Sequence, residues 1–107
     1  MDLSVHDYEK SVLLATFVTR IKDDIIVSPS ITDASFKPMI NGYEITFKEK
    51  GIYVKLELKV TEDLFKRKKL VVYVFDADGT VEKIKTHNID EGIKAIESIL
   101  VRIKESA

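Results

Sequence analysis

The sequence predicts a two-layer α+β domain: an antiparallel four- to five-stranded β-meander bracketed by an N-terminal and a C-terminal amphipathic helix. Three observations carry that prediction. Apolar residues recur at helical spacing at both ends of the chain. Apolar and polar residues alternate strictly through its middle. The links between alternating runs are short, which favours antiparallel neighbours. One domain spanning 1–107 accounts for all 107 residues.

The first helix is expected to start near Ser4, where Ser4-Val5-His6-Asp7 has the spacing of a capping box with Asp in the Glu position. Leu14, Val18, Ile21 and Ile25 form its stripe, widened by Leu13 and Phe17. Pro29 disfavours helix at Ser28 and ends it. A short edge strand is expected around Ala34 to Lys37, followed by breaks at Pro38 and at Asn41-Gly42. Tyr43, Ile45 and Phe47 share one face of the next strand, and Ile52, Val54, Leu56, Leu58 and Val60 one face of its neighbour. Glu49-Lys50-Gly51 reads as the hairpin link between them, with Gly51 free to take positive φ. Thr61 to Lys69 is a charged connection with a short helical turn expected at Glu62 to Lys66. Leu70 to Phe75 is apolar on both faces and is therefore expected to be central and covered on both sides, whereas the Lys-rich Val81 to Lys85 suits an edge. The last helix opens on Asn88-Ile89-Asp90-Glu91, again at capping-box spacing. Its stripe is Ile89, Ile93, Ile96, Leu100 and Ile103, and Arg102 and Lys104 sit where the macrodipole favours cations.

Composition narrows the function classes. A hydrophobic fraction of 45% supports one core. With no Cys, disulfides, zinc ribbons and thiol catalysis are excluded. No apolar run approaches the roughly 20 residues that span a bilayer, and the acidic N-terminus lacks a signal-peptide core. The expectation is a cytoplasmic protein with no membrane partner. Abundant Lys, Glu and Ile, without Cys or Trp, give a thermophile-like composition. The net charge of −1 offers no global attraction for nucleic acid. Residues 48–69, however, hold eight basic against four acidic side chains, so positive charge is concentrated in mid-chain.

The run from Val71 into Asp76-Ala77-Asp78-Gly79-Thr80 resembles the first motif of the haloacid-dehalogenase-like phosphatases, a likeness covering roughly the last third of the chain. The resemblance implies Asp76 as nucleophile, Asp78 as general acid and base, and Mg²⁺ to neutralise a phosphate. The same letters spell a type I turn with Asp first and Gly fourth. Beyond Asp76 the sequence reads as one weak strand and one helix, with no strand to bring a Lys and an acidic pair to such a site. The strands before it read as hairpins, not as a parallel sheet. The expectation is therefore a hairpin turn, no catalytic residue, no cofactor and no metal. An EF-hand loop counted from Asp76 fails, with Gly79 at the fourth position and His87 at the twelfth. His6 and His87 have no ligand spacing and read as surface residues near helix starts.

Two binding readings remain. If both helices cover one sheet face, Val71, Tyr73 and Phe75 are left as an apolar patch on the other, with Val101 a further exposed apolar residue on the last helix. That predicts a non-enzymatic binding or assembly module working through a protein–protein contact, with a partner protein or as a homodimer. The alternative is a nucleic-acid-binding module using Lys48, Lys50, Tyr53, Lys55, Lys59, Lys66, Arg67, Lys68 and Lys69, with Tyr53 and Tyr73 as stacking surfaces.

Overall fold

A computed structural model describes residues 5–40, 42–79 and 81–105, with the side chains of 5–7 and 81 left aside. The order is α1 (Val5–Asp24), β1 (Ile31–Met39), β2 (Gly42–Glu49), β3 (Ile52–Glu62), β4 (Lys68–Asp76), β5 (Val81–Thr86) and α2 (Ile89–Glu105). The strands form one antiparallel sheet in the order β1-β2-β3-β4-β5, as the alternation and the short links require.

Both helices lie on the same face. Phe17, Val18, Ile21 and Ile25 of α1 and Ile93, Ile96, Ile99 and Leu100 of α2 share one core with Ile45, Phe47, Val54, Leu56, Leu58, Leu70, Val72 and Val74. These strand residues have the parity that the period-two pattern assigns to one side. Ion pairs fasten the layers: Lys10 to Glu62 and Lys68 to Glu9 at one end of α1, Arg20 to Asp90 between the helices, and Arg102 to Glu82 and Lys104 to Glu49 from α2. Glu49 is buried, and its 3.0 Å bond from Lys104 satisfies it.

The hairpins follow local chemistry. Glu49 pairs with Ile52, leaving Lys50 and Gly51 as a two-residue loop with φ of 53° and 83°, the type I′ geometry that matches strand twist. At the β1–β2 corner Gly42 belongs to the strand rather than the turn. A Cβ there would overlap the Leu58 carbonyl oxygen, so close approach is what requires glycine. The Asn88 side chain caps α2, accepting from the Glu91 N–H at 3.1 Å. The reciprocal half of the box is absent: Glu91 accepts from the Thr86 hydroxyl, and Thr86 accepts from the Asn88 N–H.

Three local expectations change. Strand β1 is longer than Ala34 to Lys37 and includes Pro38, which an edge strand tolerates. A register shift between Thr32 and Ser35, with Asp33 at φ 55°, interrupts its alternation. The helical turn at Glu62 to Lys66 is instead a loop built on Asp63. One carboxylate oxygen of Asp63 accepts from the N–H groups of Phe65 and Arg67, and the other from the Arg67 guanidinium. The Ser4 cap lies outside the described residues.

Candidate functional site

The face of the sheet turned away from the helices is open. Register places Lys48 of β2, Tyr53, Lys55, Glu57 and Lys59 of β3, Lys69, Val71, Tyr73 and Phe75 of β4, and Lys83 and Lys85 of β5 on it. Charge is one-sided: six lysines (48, 55, 59, 69, 83 and 85) stand against Glu44 and Glu57 on β2 to β5.

Two of the aromatic rings, Phe75 and Tyr73, lie beneath lysines. The Lys55 ammonium sits 4.8 Å from the centre of the Phe75 ring; those of Lys83 and Lys59 sit 5.4 and 5.7 Å from Tyr73. Val71, flanked in register by Lys59 and Lys85, is only 5% exposed. Lysine stems cover apolar surface while their charged ends reach water. Tyr53 is the most accessible ring of the three, at 38%.

Lys55 differs electrostatically from the rest. Glu57 and then Glu44, at 3.3 and 3.4 Å, hold its ammonium above the ordinary lysine range. Lys85 is displaced the other way. The charge of Lys83, reinforced by that of Lys69, pushes it below the ordinary range. Like charges are gathered here, and among the described residues no carboxylate bridges Lys83 or Lys85.

The sequence-predicted basic residues do not all reach this face. Lys48, Tyr53, Lys55, Lys59 and Lys69 do. Lys50 lies in the type I′ turn, and Lys66 and Arg67 in the Asp63 loop. Lys68 has the parity of Leu70 and turns toward α1, bridging Glu9 at 3.3 Å. Lys83 and Lys85 join the face although they were not among the candidates. Of the apolar set, Val71, Tyr73 and Phe75 share the open face, while Val101 is exposed on α2 in the opposite layer.

The Asp76 segment forms the β4–β5 hairpin. The Gly79 N–H donates to the Asp76 carbonyl at 3.0 Å, the Asp78 N–H donates to the Asp76 carboxylate at 2.9 Å, and Gly79 has φ 82°. Thr80 lies outside the described residues. The antiparallel meander around Asp76 differs from the parallel sheet that the phosphatase resemblance implies. His87 Nδ1 lies 2.9 Å from the Lys68 carbonyl oxygen and Nε2 3.4 Å from Asp63. The side chain of His6 is outside the description. Among the described residues no cluster of three or more His, Asp or Glu is placed to hold a metal ion, and no helix is long and apolar enough to cross a membrane.

The two layers and the bare, lysine-rich face define a small α+β domain with one structural and one solvent-facing side to its sheet. No protein-family model, curated protein or solved structure matches the chain.

Proposed function

We propose that the protein binds nucleic acid on the open face of its sheet. The observation that carries this is the superposition of ring and charge: Tyr73 and Phe75 on β4, each overlain by lysine ammonium groups, on a face where lysines outnumber carboxylates. Every base presents a π-face to stack on a ring, and every nucleotide brings a phosphate for a lysine. Lysines crowded by like charge gain most from a polyanion, and Lys85 beside Lys83 is the clearest case. The test is fluorescence anisotropy of a labelled oligonucleotide across a salt series. Binding that weakens as salt rises, and whose salt slope falls when Lys83 and Lys85 are both changed to Gln, supports the reading. Binding unmeasurable at low salt, or indifferent to those two changes, ends it.

A protein contact is the second reading, and the observation favouring it lies on the other layer. Tyr8 and Val12, one helical turn apart, are exposed on α1 beside Leu13 and Ile89, which line a shallow groove with them. The sheet face suits self-association poorly, because a second copy would oppose lysines to lysines. Sedimentation velocity on the wild type and on Val12→Glu decides. A dimer lost in the variant supports a homodimer through α1, and a monomer in both removes it.

A further inference from the structure

The three rings of the open face follow one another in a line, and each has a lysine directly across the ladder. Tyr73 faces Lys83, Phe75 faces Lys55, and Tyr53 faces Lys48. Tyr73 and Phe75 are two residues apart on β4, so about 7 Å separates them along the strand at an antiparallel rise of about 3.4 Å per residue. Tyr53 continues the line on β3. Lys55 is the register partner of Phe75, and Tyr53 lies two residues before Lys55, one outward position further from Tyr73. That step is of similar length with a strand spacing of about 4.8 Å added sideways.

Bases along one strand of a duplex repeat every 3.4 Å or so. The ring pitch is roughly twice that. Successive bases meet successive rings only when they are unpaired, unstacked from each other and carried on a stretched backbone. A duplex keeps its base faces inside the stack and offers phosphates and groove edges alone. Resting on the sheet-face reading above, we infer that the ligand is an extended single strand, with three successive bases taken by Tyr73, Phe75 and Tyr53 and a phosphate beside each taken by the lysine across the ladder.

The same register sets the path. Glu57 faces Tyr73 from β3 and repels a phosphate there, which leaves the Lys83 side for the backbone at that ring. At Phe75 the lysine stands on β3, and at Tyr53 on β2. The strand therefore crosses the sheet obliquely, from β5 toward β2. Lys83 leaves the ring it now covers as a base replaces it, and moves from a π-face to a phosphate; Lys55 does the same by exchanging its bridges to Glu57 and Glu44 for the phosphate.

Anisotropy at low salt with the full chain tests this. The probes are a labelled 12-nucleotide oligothymidylate, its ribose counterpart oligouridylate, and a 12-base-pair duplex, with inorganic polyphosphate as a base-free competitor. Single strands should bind at least about tenfold tighter than the duplex. Phe75→Leu and Tyr53→Leu, each keeping an apolar side chain and checked for an unchanged thermal melt, should each lose about tenfold on single strands and leave polyphosphate competition unaltered, with Phe75→Tyr restoring binding. Equal or tighter duplex binding, or Leu variants that bind single strands like wild type, overturns the single-strand inference and leaves the broader sheet-face reading standing. No binding of any probe overturns that reading itself.

Discussion

The two sides of β4 carry similar residues and meet different fates. Leu70, Val72 and Val74 vanish beneath two helices, while Tyr73 and Phe75 lie under lysine ammonium groups from β3 and β5 and Val71 is flanked in register by Lys59 and Lys85. A helix excludes water and remains in place. A lysine stem shields the same kind of surface reversibly, because its ammonium end is solvated wherever it points. Doubly apolar strands are normally taken as buried on both sides. Here one side builds the core, and the other keeps an apolar floor under a movable, charged cover. On this account the inner side supplies stability and the outer side binding.

Substitutions on the two sides should separate those properties. The largest effect belongs to the core: Phe47→Ala is expected to destabilise by about 3–5 kcal/mol, measured by urea denaturation. Next comes crowding at the helix–sheet junction. In Gly92→Ala the new methyl would lie 3.1 Å from Phe17 Cζ and 3.4 Å from Thr86 Cγ2; overpacking of about 1–3 kcal/mol is offset by the roughly 1 kcal/mol that Ala gains over Gly in a helix, so the net loss should not exceed about 2 kcal/mol. Asn88→Ala removes the α2 cap and should cost about 1 kcal/mol in the same assay. None of the three touches the outer face, so any of them that remains folded should bind oligonucleotide like wild type. Glu57→Gln should do the converse. It removes a carboxylate that faces Tyr73 and bridges Lys55, and should tighten oligonucleotide binding severalfold in a salt-dependent way with little change in the melt. Weaker binding in that variant would break the comparison, because it would mean that the carboxylate positions the site instead of opposing it.

The smallest expected effect lies in the Asp63 loop. Burial alone would raise the Asp63 carboxyl, but the Arg67 and Phe65 N–H groups and the Arg67 side chain outweigh it and hold the group below its ordinary range. A depressed folded value means that the loop's contribution is present above the unfolded carboxylate's range and is lost as pH falls through the folded value. The melting-temperature gap between wild type and Asp63→Asn should therefore close on acidification. A constant gap would show that Asp63 acts through geometry alone.

The fold was legible because most of its strands obey one rule. Alternation through Tyr43 to Val60 fixes which residues face the helices, and the short links fix antiparallel order. It was less legible in β1, where only Ile31 and Phe36 are even half-buried and the shift between Thr32 and Ser35 breaks the period. The Asp63 loop was misread as helical because its charged residues suit a helix turn, whereas the Asp63 carboxylate satisfies two backbone N–H groups in a non-helical way. The site was half-visible. Summing charge along the chain singled out 48–69 and passed over Lys83 and Lys85, which sit in a segment with more acidic than basic residues. Strand pairing, not chain proximity, brings them beside Lys59 and Lys69. Lys68 shares parity with Leu70 and Val72, and the β3–β4 register, which turns that side toward the helices, sets it aside. Taken alone, β4 did not reveal which of its sides the helices cover, because both are apolar; its register against β3 decides that.

Amide chemical-shift mapping tests the division between the two faces most directly. Titrating the ¹⁵N-labelled protein with a short single-stranded oligonucleotide at low salt should move the amides of Tyr53, Lys55, Lys59, Tyr73, Phe75, Lys83 and Lys85, and leave those of Phe17, Ile21, Ile96 and Leu100 in place. Perturbations confined to α1 and α2, with β3 to β5 unmoved, would contradict the account.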